Sequence, residues 1–348
     1  MKFFLRYNKS DKNNCSPDHR CAWYCSFNLL RDRKNSFIKY NTMLIQWYPG
    51  HMHKASKEIK QTLHQIDIVI EVLDARIPFS SQNPMLSKLR GDKPCIKVLS
   101  KSDLADPDIT QQWQTYLEQE QGVKTIAITI EQPEKIRHLT DLCHKMLPDK
   151  SGTDRLINTL IVGIPNVGKS TLINILAGRM IAKTGNEPAI TKMQQRIAIG
   201  NGIVLMDTPG VLWPNVENKN SGYRLATTGA IKDTAIDHEQ IADFAADYLL
   251  IHYPELLKMR YQLSELPSNS SALLDAIGKS RGCLRSGGHV DRDRVSKILL
   301  AELRAGTIGR LSFETPAMME VEMAELIIIQ AEKAAKKEAR KSKNKRAS

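Results

Sequence analysis

The stretch Gly163-Ile-Pro-Asn-Val-Gly-Lys-Ser170 (GIPNVGKS) decides the fold, because it fits the spacing G-x4-G-K-[ST]. An apolar run, Leu156–Val162, precedes it and a helical pattern, Lys169–Ala177, follows it, which is the strand–loop–helix context that the motif requires. Glycines let a backbone wrap a phosphate chain, while loop amides and the helix N-terminus present partial positive charge to it. The stretch therefore predicts a phosphate-binding loop in an α/β protein.

The side chains of this loop have separate tasks. Lys169 would neutralise the β- and γ-phosphate oxygens, which is a catalytic contribution, and the Ser170 hydroxyl would bind Mg²⁺. The other loop residues predicted to bind a nucleotide are Asn166, Val167, Gly168 and Thr171. A chance match in a glycine turn is the alternative, and the flanking strand and helix argue against it.

A second motif expected to contact the phosphates, Asp207-Thr-Pro-Gly210 (DTPG), begins at the last residue of the strand-like run IVLMD. The Asp207 carboxylate can complete the shell of a Mg²⁺ ion, and Gly210 can offer its amide to a γ-phosphate. D-x-x-G alone is a weak signal. The signal is stronger here because D-x-x-G follows a phosphate loop. Thr191 lies between the two motifs and is predicted to be a second metal-binding and catalytic hydroxyl. Together these elements predict a Mg²⁺-dependent nucleoside triphosphatase.

The base-reading element lies upstream of the phosphate loop, in Ser100-Lys101-Ser102-Asp103 (SKSD), directly after an apolar run. GTPases usually read guanine with N-K-x-D. Lys101 would pack its stem over the base, and Asp103 would accept from the N1–H and the exocyclic amine of guanine. Ser100 stands where Asn is usual, so one supporting hydrogen bond changes partner. Alone, the tetrapeptide equally fits a surface turn, and an ATP-driven enzyme remains open.

Apolar runs alternate with helical patterns from residue 66 onward, which predicts a mostly parallel sheet with helices on both faces. The predicted strands are Ile66–Leu73, Cys95–Leu99, Val123–Ile130 and Leu156–Val162, followed by a hairpin of Gln195–Ile199 and Ile203–Met206. After about residue 238 the pattern is helical to the end, apart from a glycine-rich break at Gly278–Gly288. We therefore expect a doubly wound α/β domain followed by a small all-α domain.

The net charge is confined to the two ends of the chain. The 348 residues carry 50 Lys and Arg against 38 Asp and Glu, a net charge of +12. Residues 1–42 carry nine basic and three acidic side chains and residues 331–348 carry eight and two, so each end has +6 and 43–330 is neutral. A neutral body with cationic ends suits a polyanionic partner, either nucleic acid or a membrane surface. Charged ends that only aid solubility are the alternative.

Residues 1–42 show no sustained hydrophobic period and no secretory or transit pattern. We expect an unstructured basic leader, or upstream translated sequence with Met43 as the native start. No apolar run reaches the roughly 18 residues that a membrane-spanning helix needs, which excludes a membrane-spanning protein. We also expect no membrane partner. Six irregularly spaced cysteines suit a reducing compartment, and the cytoplasm is the expected location.

The base-reading motif precedes the phosphate loop, which precedes Asp207–Gly210, and this order resembles that of the circularly permuted GTPases. Within them, residues 44–316 resemble the ribosome biogenesis GTPase A family. Three further stretches carry the resemblance, namely Trp47–Met52 (WYPGHM), Asp74–Pro78 (DARIP) and Arg304–Arg310 (RAGTIGR). The resemblance implies a circularly permuted P-loop GTPase domain over 43–237, a helical RNA- and ribosome-binding domain over 238–330, and a basic tail over 331–348.

The resemblance also assigns roles to side chains. Val211 follows Gly210, where other GTPases carry a water-orienting Gln, and a valine cannot orient water. The resemblance nominates His51 as the catalytic, water-orienting side chain, with His53 as a less favoured competitor and a structural or RNA-contacting role as the alternative. Asn166 matches a residue that coordinates a monovalent cation in related potassium-dependent GTPases. The implied ligands are therefore GTP or GDP, Mg²⁺ and K⁺.

Besides Ser100, two departures from the family pattern stand out. The segment Pro188–Thr191 (PAIT) lacks the glycine that the family usually carries before its threonine. Thr129-Ile130 stands where a base-supporting Ser-Ala is usual. Thr129 can still hydrogen-bond to the nucleotide, but the bulkier Ile130 would weaken guanine binding.

The resemblance implies a GTPase that acts in late assembly of the large ribosomal subunit, with hydrolysis stimulated by the ribosome. Its partner would be the subunit precursor, both rRNA and ribosomal proteins, and off the ribosome a monomer is expected. A basic helical patch would add rRNA contacts through Lys279, Arg281, Arg285, Arg292 and Arg294. The alternative is an rRNA-binding module that holds a nucleotide as a structural ligand without significant turnover. Val211 permits that alternative, and the intact phosphate-end residues argue against it.

Overall fold

One sheet organises the part of the chain that the computed structural model describes, which is residues 50–150, 155–181, 195–212, 216 and 218–347. Within helices, the side chains of residues 50, 51, 53–56, 85, 88 and 339–347 lie outside this description. The strands are β1 (Ile68–Asp74), β2 (Cys95–Ser100), β3 (Val123–Ala127), β4 (Ile157–Gly163), β5 (Gln195–Gly200) and β6 (Ile203–Asp207). Their spatial order is β3-β2-β1-β4-β6-β5. Neighbours are parallel, except that β5 and β6 form the predicted antiparallel hairpin.

The central strands are as buried as their apolar runs predict. Every residue of β1 and β2 is buried, which is typical of parallel strands covered on both faces. β1 begins two residues later than predicted, because Leu63–Gln65 forms a 3-10 helix and Ile66 caps it. β3 ends at Ala127 instead of Ile130, because the chain turns at Thr129, whose carbonyl accepts from the Gln132 amide.

Eleven α-helices accompany the sheet in the described residues. They are α1 (Gly50–Thr62), α2 (Pro84–Arg90), α3 (Pro107–Leu117), α4 (Pro133–Met146), α5 (Lys169–Ala177), α6 (Lys219–Thr227), α7 (His238–His252), α8 (Pro254–Tyr261), α9 (Ser270–Ser280), α10 (Arg292–Arg304) and α11 (Pro316–Ala347). Short polar side chains begin many of them. Asp106, Asn218, Asp237, Asn269 and Asp291 each accept hydrogen bonds from amides of the following first turn.

The strand order reverses between β1 and β4. The chain builds from β1 outward to β3 and then returns to the other side of β1 with β4. In open α/β sheets, ligands bind at the carboxyl edge next to such a reversal. Asp74, Ser100, Gly163 and Asp207 are the last residues of β1, β2, β4 and β6, so all four predicted motifs meet at this edge.

Two hydrophobic clusters hold the elements together. The larger one runs from the sheet into helices α7 to α10, and α7 packs against α6, α8, α9 and α10. The smaller one joins Leu73 and Leu99 of the sheet to Trp113 of α3 and Met319 of α11. The Trp113 indole N–H donates to the Glu314 carbonyl at 3.0 Å. Residues 314–319 therefore pack directly on the half of the sheet that carries the base-reading motif.

The described residues belong to one compact unit, Leu44–Ser348. The predicted leader, 1–42, lies outside them. Helix α11 continues to Ala347, so the predicted basic tail is helical where the structure describes it. No helix among the described residues combines the length and the apolar character that crossing a bilayer requires.

Candidate nucleotide-binding site

The predicted phosphate loop joins β4 to α5 in a conformation that depends on glycine. Gly168 has φ +85° directly before the first residue of α5, and Asn166 also has a positive φ, +61°. A Cβ on Gly163 would lie 2.6 Å from the Val72 carbonyl oxygen, so only glycine fits between β4 and β1 here. Ser170 and Thr171 lie in the first turn of α5, where helix amides point toward an anion.

Lys169 and Asp207 face each other at the base of this loop, with Nζ 4.0 Å from Oδ1. Both side chains are almost fully buried. Burial lowers the pKa of Lys169, and the attraction to Asp207 only partly offsets it. Burial likewise raises the pKa of Asp207, against the effect of Lys169. The attraction between the two charges therefore does not fully offset the cost of burying them. Such a pair is expected where further charged ligands bind.

The donor set suits Mg²⁺. Both carboxylate oxygens of Asp207 are buried, and neither accepts a hydrogen bond of ordinary geometry from the described residues, although the Thr208 amide slightly favours the ionised form. A buried carboxylate without donors is costly unless another ligand compensates it. Carboxylate and hydroxyl oxygens are the ligands that Mg²⁺ prefers, and Ser170 supplies a hydroxyl at the start of α5. Asp207 and Ser170 would hold the ion, which would supply positive charge to phosphate oxygens.

The segment after β6 lies directly against the phosphate loop. A Cβ on Gly210 would be 3.0 Å from the backbone of Pro165, and the Val211 amide donates to the Gly163 carbonyl at 3.2 Å. The Val211 side chain is buried, so it offers no polar group to a nucleotide. Asn166 donates through Nδ2 to the Gly229 carbonyl at 2.7 Å, which ties the loop to the turn after α6. Coordination of a cation by Asn166 would use its other atom, Oδ1.

The base-reading motif is hydrogen-bonded to the phosphate loop. The Ser100 hydroxyl lies 2.6 Å from the Val167 carbonyl oxygen and 2.8 Å from that of Leu73, and it can donate to either. The Ser102 amide donates to the Ile128 carbonyl at 3.1 Å, which joins the motif to the Thr129 turn. The serine that departs from the usual Asn therefore links the base end of the site to the phosphate end.

Lys101 is held by a buried aspartate. It has φ +55°, and its Nζ lies 3.0 Å from Asp74 Oδ2. Arg76 binds the same carboxylate through Nε at 2.9 Å and Nη2 at 2.8 Å, and its amide donates at 3.1 Å. Desolvation is the largest single effect on Asp74 and raises its pKa. The charges and hydrogen bonds of Arg76 and Lys101 together exceed that effect, so the pKa of Asp74 is well below its usual range. Burial lowers the pKa of Lys101, and Asp74 opposes that effect.

Thr129 is buried, and its hydroxyl accepts from the Glu131 amide at 3.3 Å. The adjoining Ile130 is exposed. Thr129 directly follows Ile128, whose carbonyl accepts from the Ser102 amide, so the turn at Thr129 adjoins the base-reading loop. Asp103 lies within the same base-reading loop, between Ser102 and Leu104.

Other predicted residues are described in part or not at all. Thr191 and the segment around it lie outside the described residues, so its assigned metal and catalytic roles stay predictions. The backbone of His51 lies in the first turn of α1. Its side chain, and that of His53, lie outside the description.

Sequence reasoning identified the DARIP and RAGTIGR stretches only as signatures. It did not predict that Asp74 binds Lys101, since 27 positions separate them. It also did not predict that Arg310 binds the base-reading loop, by donating to the Ser102 carbonyl at 3.1 Å. A carboxylate at the end of a buried strand was the available signal for Asp74, because buried charges require partners.

Comparisons with known proteins agree with this geometry. The family model of the 50S ribosome-binding GTPase matches residues 158–262. The ribosome biogenesis GTPase A of Priestia megaterium is 47% identical over 80% of this chain and 99% of its own length. That of Thermotoga maritima is 32% identical over 78% of this chain and 95% of its own length.

Solved structures show the same fold. The GDP-bound structure of YlqF has a TM-score of 0.55 at 30% identity and covers 75% of this chain and 99% of its own. The GNP-bound YlqF from T. maritima has a TM-score of 0.53 at 30% identity, with coverages of 76% and 98%. The sheet, the phosphate loop and the preceding base-reading loop form a circularly permuted P-loop GTPase fold with a helical C-terminal region. The chain belongs to the ribosome biogenesis GTPase A family.

Proposed function

We propose that this protein binds GTP and GDP, hydrolyses GTP, and acts in late assembly of the large ribosomal subunit in the cytoplasm. Ribosomal particles would stimulate the hydrolysis. One observation carries the nucleotide part of the proposal, namely the 2.6 Å contact from the Ser100 hydroxyl to the Val167 carbonyl. It joins the base-reading loop to the phosphate loop as one continuous site beside the strand-order reversal.

The chemistry follows from the residues at each end of that site. Lys169 and the amides that open α5 would bind phosphate oxygens, and Thr171, Gly168 and Gly210 would complete this cradle. Ser170, Thr191 and Asp207 would hold Mg²⁺, which supplies charge to phosphate oxygens when bound. Asn166 would contribute a ligand to K⁺. Val211 is buried and apolar, so water orientation falls to another side chain, for which we nominate His51.

At the base end, Asp103 would accept from the N1–H and the amine of guanine, and Lys101 would cover the ring with its stem. The fixed position of Lys101 on Asp74 supports this assignment, because a side chain that already has its partner loses less freedom on binding. We divide the chain accordingly into a GTPase domain at 43–237, a ribosome-binding helical domain at 238–330 and a basic tail at 331–348.

The ribosomal partner is supported by the family and by charge. Three arginines of the predicted helical patch already pair with carboxylates, Arg281 with Glu302 at 2.8 Å, Arg285 with Asp291 at 2.9 Å and Arg292 with Asp275 at 3.4 Å. The patch therefore presents less net charge than its sequence indicates. More of the attraction to rRNA falls on the tail, 331–348, with its +6 from eight basic and two acidic residues.

Turnover of GTP with and without large ribosomal subunits tests the proposal. We expect subunits to raise the rate at least about tenfold, as expected when a partner completes a catalytic site. His51→Ala should keep GTP affinity and lose this stimulation. His64→Ala is a matched control, since His64 is an exposed histidine in the 3-10 helix after α1. Unchanged turnover on adding subunits would instead favour a nucleotide-stabilised rRNA-binding module.

A further inference from the structure

Two consecutive residues near the C-terminus bind three carbonyls of the base-reading loop. Arg310 donates from Nε to the Ala105 carbonyl and from Nη2 to the Ser102 carbonyl, both at 3.1 Å. The next amide, that of Leu311, donates to the Leu104 carbonyl at 3.0 Å. We call residues 310–312 the C-terminal clamp, because they hold the loop of residues 102–106 along most of its length.

The far end of the loop is held by the third clamp residue. The Asp106 amide donates to the Ser312 hydroxyl at 3.3 Å, and the Ser312 amide donates to the Tyr253 hydroxyl at 2.9 Å. That hydroxyl can donate in turn to the Ser312 carbonyl at 3.2 Å or to Asp106 Oδ2 at 3.4 Å. Burial raises the pKa of Tyr253 to about 12, so this donor stays protonated at neutral pH.

The loop of residues 102–106 also packs closely against the RAGTIGR stretch, Arg304–Arg310. Gly306 has φ +73°, and a Cβ there would lie 2.6 Å from Leu104 Cδ2. Ala105, Leu311 and Ser312 are all fully or almost fully buried in the contact. The backbone of 102–106 is therefore held by residues 306–312, and the Ser102 amide of the same loop donates to the Ile128 carbonyl.

The position of one hydrogen bond is decisive. The Ser102 carbonyl that Arg310 binds belongs to the peptide group directly before Asp103. The Ser102 amide, in turn, donates to the Ile128 carbonyl at 3.1 Å. With its amide and its carbonyl both held, Ser102 has little freedom to rotate, and the direction of the Asp103 side chain depends on that peptide plane.

We infer that Arg310 is a positioning residue for guanine recognition, which acts by fixing the peptide that orients Asp103. The inference rests on the proposed function, because it assumes that Asp103 reads the base. It adds a determinant of base specificity 207 positions away in the chain from Asp103.

The test compares GDP with IDP, whose base lacks only the exocyclic amine that Asp103 would bind. Competition binding on the full chain should give a preference for GDP of about 10- to 100-fold, the value of a hydrogen bond to a charged group. Arg310→Gln should reduce that preference at least about fivefold. Arg310→Lys should fall between, because one ammonium group cannot match the planar fork of a guanidinium.

Arg304→Gln is the matched control. Arg304 belongs to the same motif and also binds two backbone carbonyls, those of Thr227 at 3.0 Å and Ala226 at 2.8 Å, but not the base-reading loop. It should keep the wild-type preference for GDP over IDP, whatever its effect on stability. A preference that is unchanged in Arg310→Gln, or reduced equally in Arg304→Gln, overturns the inference. Wild-type protein that binds no GDP overturns the proposed function instead, and the inference with it.

Tyr253→Phe provides a second variant if Arg310→Gln folds poorly. It removes the hydroxyl that supports Ser312 and Asp106 while keeping the ring. It should reduce the GDP preference by a smaller factor, about two- to threefold, the value of a neutral hydrogen bond. A preference equal to that of the wild type in this variant also counts against the inference.

Discussion

Two buried aspartates end parallel strands at the same edge of the sheet and face lysines, yet their surroundings differ. Asp74 accepts from three groups of Arg76 and from Lys101 at 2.8–3.1 Å. Asp207 has Lys169 at 4.0 Å, and its oxygens accept no hydrogen bond of ordinary geometry from the described residues. The pKa of Asp74 is lowered and that of Asp207 is raised.

The difference separates a carboxylate that is fully paired, although Nη1 of its partner Arg76 has no hydrogen bond within the described part of the chain, from a carboxylate whose own oxygens are unpaired there. The Asp74 cluster gives Lys101 a fixed position before any base arrives. Asp207 and Lys169 form a desolvated, incompletely compensated charge pair, and the proposed binding of a metal and phosphates would relieve the cost of burying it. Lys101 is thus already held in place by Asp74, whereas the Asp207–Lys169 pair carries an uncompensated electrostatic cost.

Breaking the Asp74 cluster should have the largest effect. Asp74→Asn should lower the free energy of unfolding by about 3–5 kcal/mol, because it leaves the buried Arg76 charge without a counter-ion. Asp207→Asn is the matched substitution. In metal- and nucleotide-free protein it should change that free energy by no more than about 1 kcal/mol, because relief of an unsatisfied carboxylate offsets the lost attraction to Lys169. Urea denaturation measures both, and equal losses would contradict the contrast.

The pH dependence of stability should have opposite signs at the two aspartates. A lowered folded pKa stabilises the protein above the unfolded value of about 3.9, and this is lost as the pH falls through the folded pKa. A raised folded pKa costs stability as the pH rises from about 3.9 toward that pKa.

On acidification from about pH 7 to 3, the wild type should therefore lose only the first part of its advantage over Asp74→Asn, at about 1.4 kcal/mol for each pH unit below the unfolded value of about 3.9. Over the same range it should gain stability relative to Asp207→Asn. Denaturant titrations at several pH values give both differences. If both differences in unfolding free energy changed with pH in the same direction, the two aspartates could not have pKa shifts of opposite sign.

The smallest effect concerns Mg²⁺. Adding Mg²⁺ should tighten the binding of a non-hydrolysable GTP analogue to the wild type about tenfold, which is about 1.4 kcal/mol. The gain should shrink to threefold or less in Asp207→Asn and persist in Asp74→Asn, provided that this variant is assayed below its unfolding transition. Titration calorimetry with and without the metal gives these ratios. A full gain in Asp207→Asn would remove Asp207 from the metal site.

Much of the fold follows from local sequence. The strands are short apolar runs, and the glycine spacing of the phosphate loop requires the backbone that Gly163 and Gly168 adopt. Errors arise at the strand ends, where hydrogen bonds of a turn, such as that at Thr129, override an apolar run.

The contacts that complete the site were not predictable in the same way. Lys101 and Asp74 come together only because β1 and β2 are neighbours, and Ser100 meets Val167 only because β4 lies on the other side of β1. The Arg224 guanidinium illustrates the same limit. It is buried against Glu314 and Glu322, a cluster that joins α6 to residues about 90–100 positions later in the chain.

The C-terminal clamp also sets a time order. A ribosome makes the loop of residues 102–106 early, and Arg310 follows Ser102 by 208 positions. At about 5–20 residues per second, roughly 10–40 s of synthesis separate the two. The phosphate loop is synthesised well before that interval ends, whereas the loop proposed to read the base reaches its final hydrogen bonding only after Arg310 has been made. A nascent chain that stops short of Arg310 carries a finished phosphate loop and an unfinished base-reading loop.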